Sequence, residues 1–207
     1  MPITPKQKRS EITQAKILSS LNNCLQNKYF EHISINELAE GAGVSVGTFY
    51  RRFKDKNALI PLLYDQLGEQ LSDWITEFTK KKSNSVEQAV HYLCTEVSAF
   101  IKKREGVFRT LHLYTRLHTE LVAKDQMSDR VDTFSPIVSW LHEQIFSSGN
   151  TEQHRQKLEM WMFVIFNTLI EKNLYQDITP ASVCDMSINL YIDQITAAIT
   201  NDIKDLK

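Results

Sequence analysis

The segment ISINELAEGAGVSVGTFYRRFKDKNAL, residues Ile33 to Leu59, decides how the rest of the chain is interpreted. Ser34 followed by Glu37 is a capping box, which predicts the start of a short helix. Gly43 can adopt the positive φ that ends this helix and turns the chain sharply into the next one. Ser45 can cap that next helix, which is predicted to run through Phe53. Two short helices around a glycine turn predict a helix-turn-helix.

The second helix of this pair is polar where a core helix would be apolar. Ala39 has to be small because the two helices cross closely, and Val44 and Phe49 anchor the second helix on the first. The opposite face is then available to enter a DNA groove, where it meets phosphates and base edges. The segment therefore predicts double-stranded DNA as the partner.

Helical patterns account for the remainder of the chain, and no alternating strand segment is found. The other helices are expected over 10–27, from an Asp55 cap to about residue 78, and near 86–104, 106–117, 119–147, 150–175 and 180–202, the last beginning at Thr179-Pro180. The fold is predicted to be all-α with about nine helices. A three-helix head over residues 1–56 would carry the helix-turn-helix, and residues 57–207 would form a larger helical domain.

Composition limits the classes of function. Residues 1–56 hold nine Lys and Arg against five acids, a balance of +4, so the rest of the chain carries −5 of the net charge of −1. A basic head on an acidic body favours a polyanion as the partner of the head alone. The three widely spaced cysteines indicate a reducing compartment and neither a disulfide framework nor a zinc site. No cofactor is expected.

No targeting or membrane segment is recognised. The amino-terminal residues MPITPKQKRS lack an apolar signal core. The longest apolar run, Met160–Phe166, is too short to cross a bilayer. A cytoplasmic protein without a membrane partner is the expectation.

Residues 33–60 resemble the DNA-binding signature of TetR-family transcriptional regulators. The matching residues are Ile33, Leu38, Ala39, Ala42, Gly43, Val44, Ser45, Gly47, Thr48, Phe49, Tyr50, Phe53, Lys56 and Leu59. The resemblance is sharp over about residues 10–60 and architectural beyond them. It implies a non-enzymatic regulator, by default a repressor, that binds a near-palindromic operator as a homodimer and responds to a small effector held in the larger domain.

The resemblance also implies DNA-contact roles for nine residues: Asn36, Ser45, Val46, Gly47, Thr48, Tyr50, Arg51, Arg52 and Lys56. Thr48, Tyr50 and Lys56 correspond to phosphate contacts, and Arg51 and Arg52 face the major groove or its rim. Two alternatives stay open at this point. Tyr50 could be a packing aromatic with its hydroxyl at the surface, and the two arginines could be solvated instead of reading bases.

The two terminal helices are apolar on more than one face, which predicts a dimer. The run MWMFVIFNTLI, Met160–Ile170, needs cover on all sides. Symmetry mates would provide it in a four-helix bundle, and the alternative is a pair of ordinary core helices. The expected interface residues are Met162, Phe166, Leu190, Ile195 and Ile199.

Aromatic and polar residues scattered among apolar ones in the middle helices suit a pocket for a mostly apolar effector. The candidate lining residues are Phe108, His112, Tyr114, Phe134, Trp140, Trp161, Phe166 and Asn167. Aromatic residues at helical spacing also make plain core. A metal site is not expected, because no His, Cys or acid spacing fits a ligand pattern.

Three other functions compete with an effector-responsive regulator. A helical enzyme lacks any phosphate loop, nucleophile elbow, HExxH motif or paired carboxylates. A constitutive DNA-binding protein would have a solid larger domain without a cavity. A helical protein-binding module would show no saturable binding to duplex DNA.

Overall fold

The computed structural model describes residues 5–118, 124–146, 152–176, 178 and 183–204, with the backbone alone for residues 5–8 and 124–131. Within these ranges the chain forms nine α-helices and no strand, as the sequence predicts. The helices are α1 Pro5–Leu25, α2 Ile35–Gly41, α3 Val46–Tyr50, α4 Ile60–Phe78, α5 Val86–Lys103, α6 Glu105–Leu117, α7 Lys124–Ile145, α8 Glu152–Leu174 and α9 Ile188–Lys204. Two 3-10 turns, Phe30–His32 and Lys56–Leu59, precede α2 and α4.

The helix-turn-helix has the local geometry that its sequence predicts. Ser34 Oγ accepts a hydrogen bond from the Glu37 amide at 3.2 Å, and the Ser34 amide donates to Glu37 Oε2 at 2.9 Å, which completes the capping box. Gly43 has a φ of +64°, a conformation that other residues adopt only at a cost. The Val44 amide then donates to the Ala39 carbonyl at 2.9 Å and closes the turn.

The elements after this turn are shorter than predicted. α3 ends at Tyr50, and the chain reaches Phe53 through a turn. Asp55 does act as a cap, accepting from the Ala58 amide at 3.2 Å, but it caps the 3-10 turn Lys56–Leu59. α4 begins only at Ile60, which makes Pro61 its second residue. Proline has no amide hydrogen to donate and is tolerated in the first turn of a helix, so this start avoids a broken bond.

The first compact unit comprises Met1–Gln70 and Gly106–Thr119. Its core joins α1, α2, α3 and the first half of α4, and α6 contributes Leu111 to it. The fully buried members are Ile17, Leu21, Leu38, Phe49, Leu59 and Leu63. This unit is larger than the predicted head of residues 1–56, because three short helices do not cover their own apolar faces. Whether residues 1–56 act as a separate functional domain stays a prediction.

The second compact unit comprises Leu71–Glu105 and Glu120–Lys207. α5 contacts α7, α8 and α9, and it buries Leu93, Val97 and Ile101 in their midst. The predicted start of the last helix at Thr179-Pro180 lies outside the described residues, and residues 184–187 are not helical. Lys172 on α8 donates to the carbonyls of Cys184 at 2.7 Å and Met186 at 2.9 Å. The carbonyls of Cys184 and Met186 therefore accept from an ammonium group and not from amides of a helix, and α9 begins at Ile188.

A search of the described helices finds none with the length and apolarity that a membrane span requires.

Candidate nucleic-acid interface

α3 offers one exposed face opposite a single buried anchor. Phe49 is fully buried and packs its ring 5.4 Å from that of Phe53. Tyr50, the next residue, has 55% of its surface exposed, and Gly47 is also exposed. The alternative role of Tyr50 as a packing aromatic is therefore not supported by its burial.

Ser45, Thr48 and Arg51 form a connected polar row at this surface. Ser45 Oγ accepts from the Thr48 amide at 3.1 Å and lies 2.9 Å from Thr48 Oγ1. Arg51 Nη2 donates to Thr48 Oγ1 at 2.8 Å. These bonds hold the two hydroxyl groups and the guanidinium of Arg51 in one place before any ligand arrives. A guanidinium has five N–H donors, so Arg51 keeps donors for phosphate or a guanine edge.

Arg52 lies in a different environment from Arg51. Its Nη1 donates to Ser10 Oγ and its Nη2 to Gln14 Oε1 at 2.7 Å, both on α1. The guanidinium also lies 5.9 Å from the ring centre of Phe53. In this conformation its donors bind α1, and the predicted position of Arg52 at the major groove stays a prediction. Its donors are directed at α1 because α1 presents two acceptors within reach.

Lys56 is also placed differently from its predicted phosphate role. Its Nζ donates to the carbonyls of Phe30 at 2.7 Å, Glu31 at 2.8 Å and Ile33 at 3.0 Å. An ammonium has three donors, so all of them are used within the protein. Burial lowers the pKa of Lys56 from its ordinary value. In this conformation the side chain holds the 3-10 turn before α2, and its phosphate contact stays a prediction.

Asn36 and Val46 remain available at the surface. Asn36 is exposed in the first turn of α2, and Val46 is half-buried at the start of α3. Beside them, Lys28 and Glu37 form an ion pair at the surface. The Lys28 ammonium, together with the Ser34 amide and hydroxyl, lowers the pKa of Glu37 to about 2. Arg51 and Lys54, which follow α3, are also exposed and positively charged.

The eight predicted pocket residues are divided between the two compact units. Phe108, His112 and Tyr114 belong to the first unit, and the other five belong to the second. In the second unit Trp140 is buried and donates from Nε1 to the Lys81 carbonyl at 2.7 Å. Its ring lies 4.7 Å from that of Phe78, which stacks on Tyr92 at 4.9 Å. Trp140 is thus part of a packed aromatic cluster.

The remaining candidates of the second unit also have partners or face outward. Trp161 Nε1 donates to Asp202 Oδ2 at 2.7 Å, and the Phe134 and Phe166 rings meet at 4.7 Å. Asn167 is exposed and donates to the Phe163 carbonyl at 2.8 Å. A surface groove of about 560 Å³ does occur in this unit, but its lining contains none of the eight residues. That lining consists of Lys81, Ser85, Glu87, Gln88, His91, Tyr92 and Thr95.

The predicted dimer residues are mostly core residues of the single chain. Met162, Ile195 and Ile199 are all at least nine-tenths buried among α5, α8 and α9, and Phe166 is half-buried. Of the five, Leu190 is exposed, at 47%. A hydrophobic pattern shows that a side chain is buried and not which partner buries it, so the interface residues stay a prediction. The outward apolar residues of α8 are Met160, at 44%, and Phe163, at 69%.

No group of three or more potential ligands for a metal ion is found among the residues whose side chains are described. The three cysteines are unpaired thiols, and burial raises the pKa of Cys94 to about 12. A thiol with that pKa is protonated at neutral pH and unreactive.

Several residues that shape this site escaped prediction. Ser10 and Gln14 hold Arg52, and Gly106 on α6 lies so close to α1 that an added Cβ would stand 1.9 Å from the Leu25 carbonyl oxygen. One signal was present in the sequence. Ser10 and Gln14 share a helical face with Ile17 and Leu21, so the sequence indicates that this face of α1 packs against the other helices of the head.

Known proteins resemble this chain in its sequence and in its fold. Residues 17–62 match the family model for bacterial regulatory proteins, tetR family. The nucleoid occlusion factor SlmA of Haemophilus ducreyi is 31% identical over 108 residues, or 52% of each chain. The regulator EthR of Mycolicibacterium smegmatis is 39% identical over 69 residues, which are 31% of this chain and 32% of that one.

The match to SlmA thus spans about half the length of that relative. Among solved structures, a tetR-family transcriptional regulator from Streptomyces coelicolor superposes with a TM-score of 0.64 at 13% identity. The superposition covers 95% of this chain and 84% of that one. At this identity the likeness concerns the fold alone.

Proposed function

From the premise that this chain belongs to the TetR family of bacterial regulatory proteins, we propose that it is a DNA-binding transcriptional regulator. It binds a near-palindromic duplex as a homodimer, by default as a repressor, and works in the cytoplasm. The observation that carries the proposal is the polar row of Ser45, Thr48 and Arg51, beside exposed Tyr50, along a segment that is anchored by buried Phe49. Such a row offers hydroxyl and guanidinium donors to phosphates and base edges.

The structure reduces the set of residues that we propose for DNA contact. Tyr50 and Thr48 supply phosphate contacts, and Arg51, with Asn36 as a neighbour on α2, supplies base contacts. Ser45 orders the row, and Val46 and Gly47 allow close approach of the backbone. Arg52 and Lys56 are left out because their donors bind α1 and the 3-10 turn before α2. Arg51 and Lys54 leave the head a positive surface.

Dimerisation follows from what one recognition helix can do. α3 has five residues and contacts few base pairs. A single module of this kind binds DNA weakly at physiological salt, where non-specific dissociation constants are about 10⁻⁴–10⁻⁶ M. A two-fold dimer places two such helices in major grooves roughly 34–36 Å apart, and the contributions of both half-sites combine. We place the interface on the outward residues Met160, Phe163 and Leu190 of α8 and α9.

We propose a small, mostly apolar effector as the default for this family, held by the second unit. Its binding would lower operator affinity by favouring a state of the dimer that fits the two half-sites less well. The lining is left open, because Trp140 and Trp161 are engaged within the protein.

A second candidate is DNA binding without any effector. The packed cluster of Trp74, Phe78, Phe100 and Trp140 favours it, since these rings contact one another and none of them lines the surface groove. The relatives named nucleoid occlusion factors point to a role of this kind on the nucleoid.

Selection of duplexes from a random pool by the purified chain tests the DNA-binding function. We expect enriched sequences with two-fold symmetry, and weaker binding to all duplexes by Tyr50→Phe, because phosphates carry no direct sequence information. Arg51→Ala should change the preference at particular base pairs. Absence of saturable binding at moderate salt would overturn the proposal in favour of a protein-binding module.

The effector is tested with the selected duplex. Host extract fractions and apolar small molecules are screened for release of the chain from that duplex, and bound species are identified by native mass spectrometry. A molecule that releases the duplex supports the effector-responsive regulator. A chain that carries no molecule and responds to none supports the second candidate.

A further inference from the structure

Two neighbouring arginines after α3 differ in what they contact. Arg51 is exposed and donates to Thr48 within its own helix at 2.8 Å. Arg52 is half-buried and donates across to α1, from Nη1 to Ser10 Oγ and from Nη2 to Gln14 Oε1 at 2.7 Å. The sequence offers two equal side chains, and the fold uses them differently.

The two acceptors match the shape of a guanidinium. Ser10 and Gln14 are four residues apart on α1 and therefore lie on one face, one helical turn from each other. The planar fork of arginine presents its two terminal nitrogens side by side, so one side chain can bridge this turn. Ser10 and Gln14 lie on the same face of α1 as the buried Ile17 and Leu21, closer to the amino terminus.

α3 needs a second attachment besides its apolar anchor. It has five residues, fewer than two turns, and isolated helices of that length are not stable. Phe49 and Phe53 fix how deeply the segment packs. A rotation of α3 about that anchor would still move Tyr50 and Arg51 relative to a DNA groove. A hydrogen-bonded bridge from the residue after α3 to α1 opposes such a rotation.

We propose that Arg52 is a positioning residue for DNA recognition, which sets the orientation of α3 by bridging it to Ser10 and Gln14 of α1 and does not contact DNA itself. This inference rests on the proposed DNA-binding function and adds α1 to the residues that determine affinity. It predicts that two uncharged side chains outside the helix-turn-helix control how well Tyr50 and Arg51 meet their targets.

The test measures the dissociation constant of the full chain for its selected duplex over a range of salt concentrations. Gln14→Ala and Arg52→Ala are made separately and together, with Ser19→Ala as the control at an exposed position of α1. Arg51→Ala is the reference for a direct contact. Thermal unfolding of each variant shows whether the head remains folded at the assay temperature.

We expect Gln14→Ala and Arg52→Ala each to weaken binding by roughly tenfold, because an α3 without the bridge would have the orientation that fits DNA in only about a tenth of the chains. The double variant should bind no more weakly than Arg52→Ala, since both changes remove one bridge. On duplexes with single base-pair changes, Gln14→Ala should keep the base preference of the wild type, whereas Arg51→Ala should lose the preference at particular base pairs. Ser19→Ala should bind as the wild type does.

Independent effects of Gln14→Ala and Arg52→Ala would overturn the proposal. So would a silent Gln14→Ala together with loss of one base preference in Arg52→Ala, since that pattern means direct contact. The Ser10→Ala, Gln14→Ala double variant keeps the inference testable if Arg52→Ala does not fold, and unchanged or tighter binding by it would also overturn the bridge. A wild-type chain that binds no duplex at all would instead overturn the proposed function.

Discussion

Lys56 carries its ammonium group into a half-buried position, where three backbone carbonyls accept its three hydrogens. The ring of Phe30 lies 4.8 Å from the same nitrogen. Lys172 uses the same arrangement with the carbonyls of Cys184 and Met186. In both places a lysine binds backbone carbonyls of a segment that lies outside the α-helices.

We therefore expect Lys56→Ala to lower the free energy of unfolding by about 1–3 kcal/mol, the range for losing charge-assisted hydrogen bonds at a partly buried site. Chemical denaturation measures it, with Lys54→Ala as the control at an exposed position two residues before Lys56. Lys56→Ala should leave the salt slope of DNA binding unchanged. Unchanged stability with a slope reduced by one unit would restore the phosphate role that the resemblance implies.

Glu37 couples the start of α2 to pH. Its carboxylate accepts from Ser34 and pairs with Lys28, which lowers its pKa from an ordinary value of 4.5 to about 2. A lowered carboxyl pKa stabilises the folded state above the unfolded value, and this contribution is lost as the pH falls from about 4.5 toward 2.

Acid unfolding of Glu37→Gln tests this coupling, because glutamine keeps an acceptor for the Ser34 amide and removes only the charge. The variant should be less stable than the wild type at pH 7, and the difference should shrink as the pH falls through that window. Glu40→Gln, at an exposed position of α2, is the control. A difference between Glu37→Gln and the wild type that is constant from pH 7 to pH 2 would contradict the prediction.

At the scale of the helices, α6 comes close to the end of α1 at Gly106. An added Cβ on Gly106 would lie 1.9 Å from the Leu25 carbonyl oxygen, which is backbone and cannot move aside alone. A few residues on, Arg109 lies over the Tyr29 ring at 4.3 Å, and Leu111 enters the core of the first unit. The start of α6 is therefore a structural part of the DNA-binding unit.

Gly106→Ala should separate α6 from α1 and destabilise the chain by about 1–3 kcal/mol, as overpacking does. Gly68→Ala is the matched control, since it lies within α4 and meets nothing within 4 Å. Without a clash, alanine should stabilise that helix by roughly 0.5–1 kcal/mol. Thermal unfolding of both variants measures the two changes in stability, which should have opposite signs. A stabilising Gly106→Ala would mean that the two helices are not in contact in solution.

At the scale of the whole molecule, the exposed fraction of a side chain indicates whether it stabilises one subunit or is available to contact a second one. Ile195 is 7% exposed, so a charge there would disrupt the subunit itself, whereas Phe163 is 69% exposed. Phe163→Glu should therefore give folded monomers with an unchanged unfolding midpoint at low concentration, and operator affinity should fall toward that of one head. Analytical ultracentrifugation and a binding titration measure both.

Ile12→Glu is the control for that experiment, since Ile12 is also exposed, at 49%, but lies on α1. It should leave the subunits paired. A Phe163→Glu chain that stays dimeric would place the interface elsewhere. A monomer that binds the operator as tightly as the wild type would refute the paired recognition mechanism.

Local chemistry was sufficient to predict much of the head from the sequence. The capping box of Ser34 and Glu37, the positive φ of Gly43 and the cap at Ser45 depend on residues at most three positions apart. Interactions of such short range are encoded in the order of residues, and the all-α fold follows from helical periodicity in the same way. The family was recognisable because its signature consists of these local features.

Only the tertiary structure decided which partner each long side chain contacts. Arg51 and Arg52 are adjacent and alike, but α1 offers acceptors to one of them alone. Ile195 and Leu190 share one apolar helix, and packing against α5 and α8 buries only the first. The physical reason is common to these cases. The hydrophobicity and charge of a residue indicate whether it needs an apolar or a polar partner. Which residue becomes that partner depends on how helices distant in the chain pack, and no local sequence pattern specifies that packing.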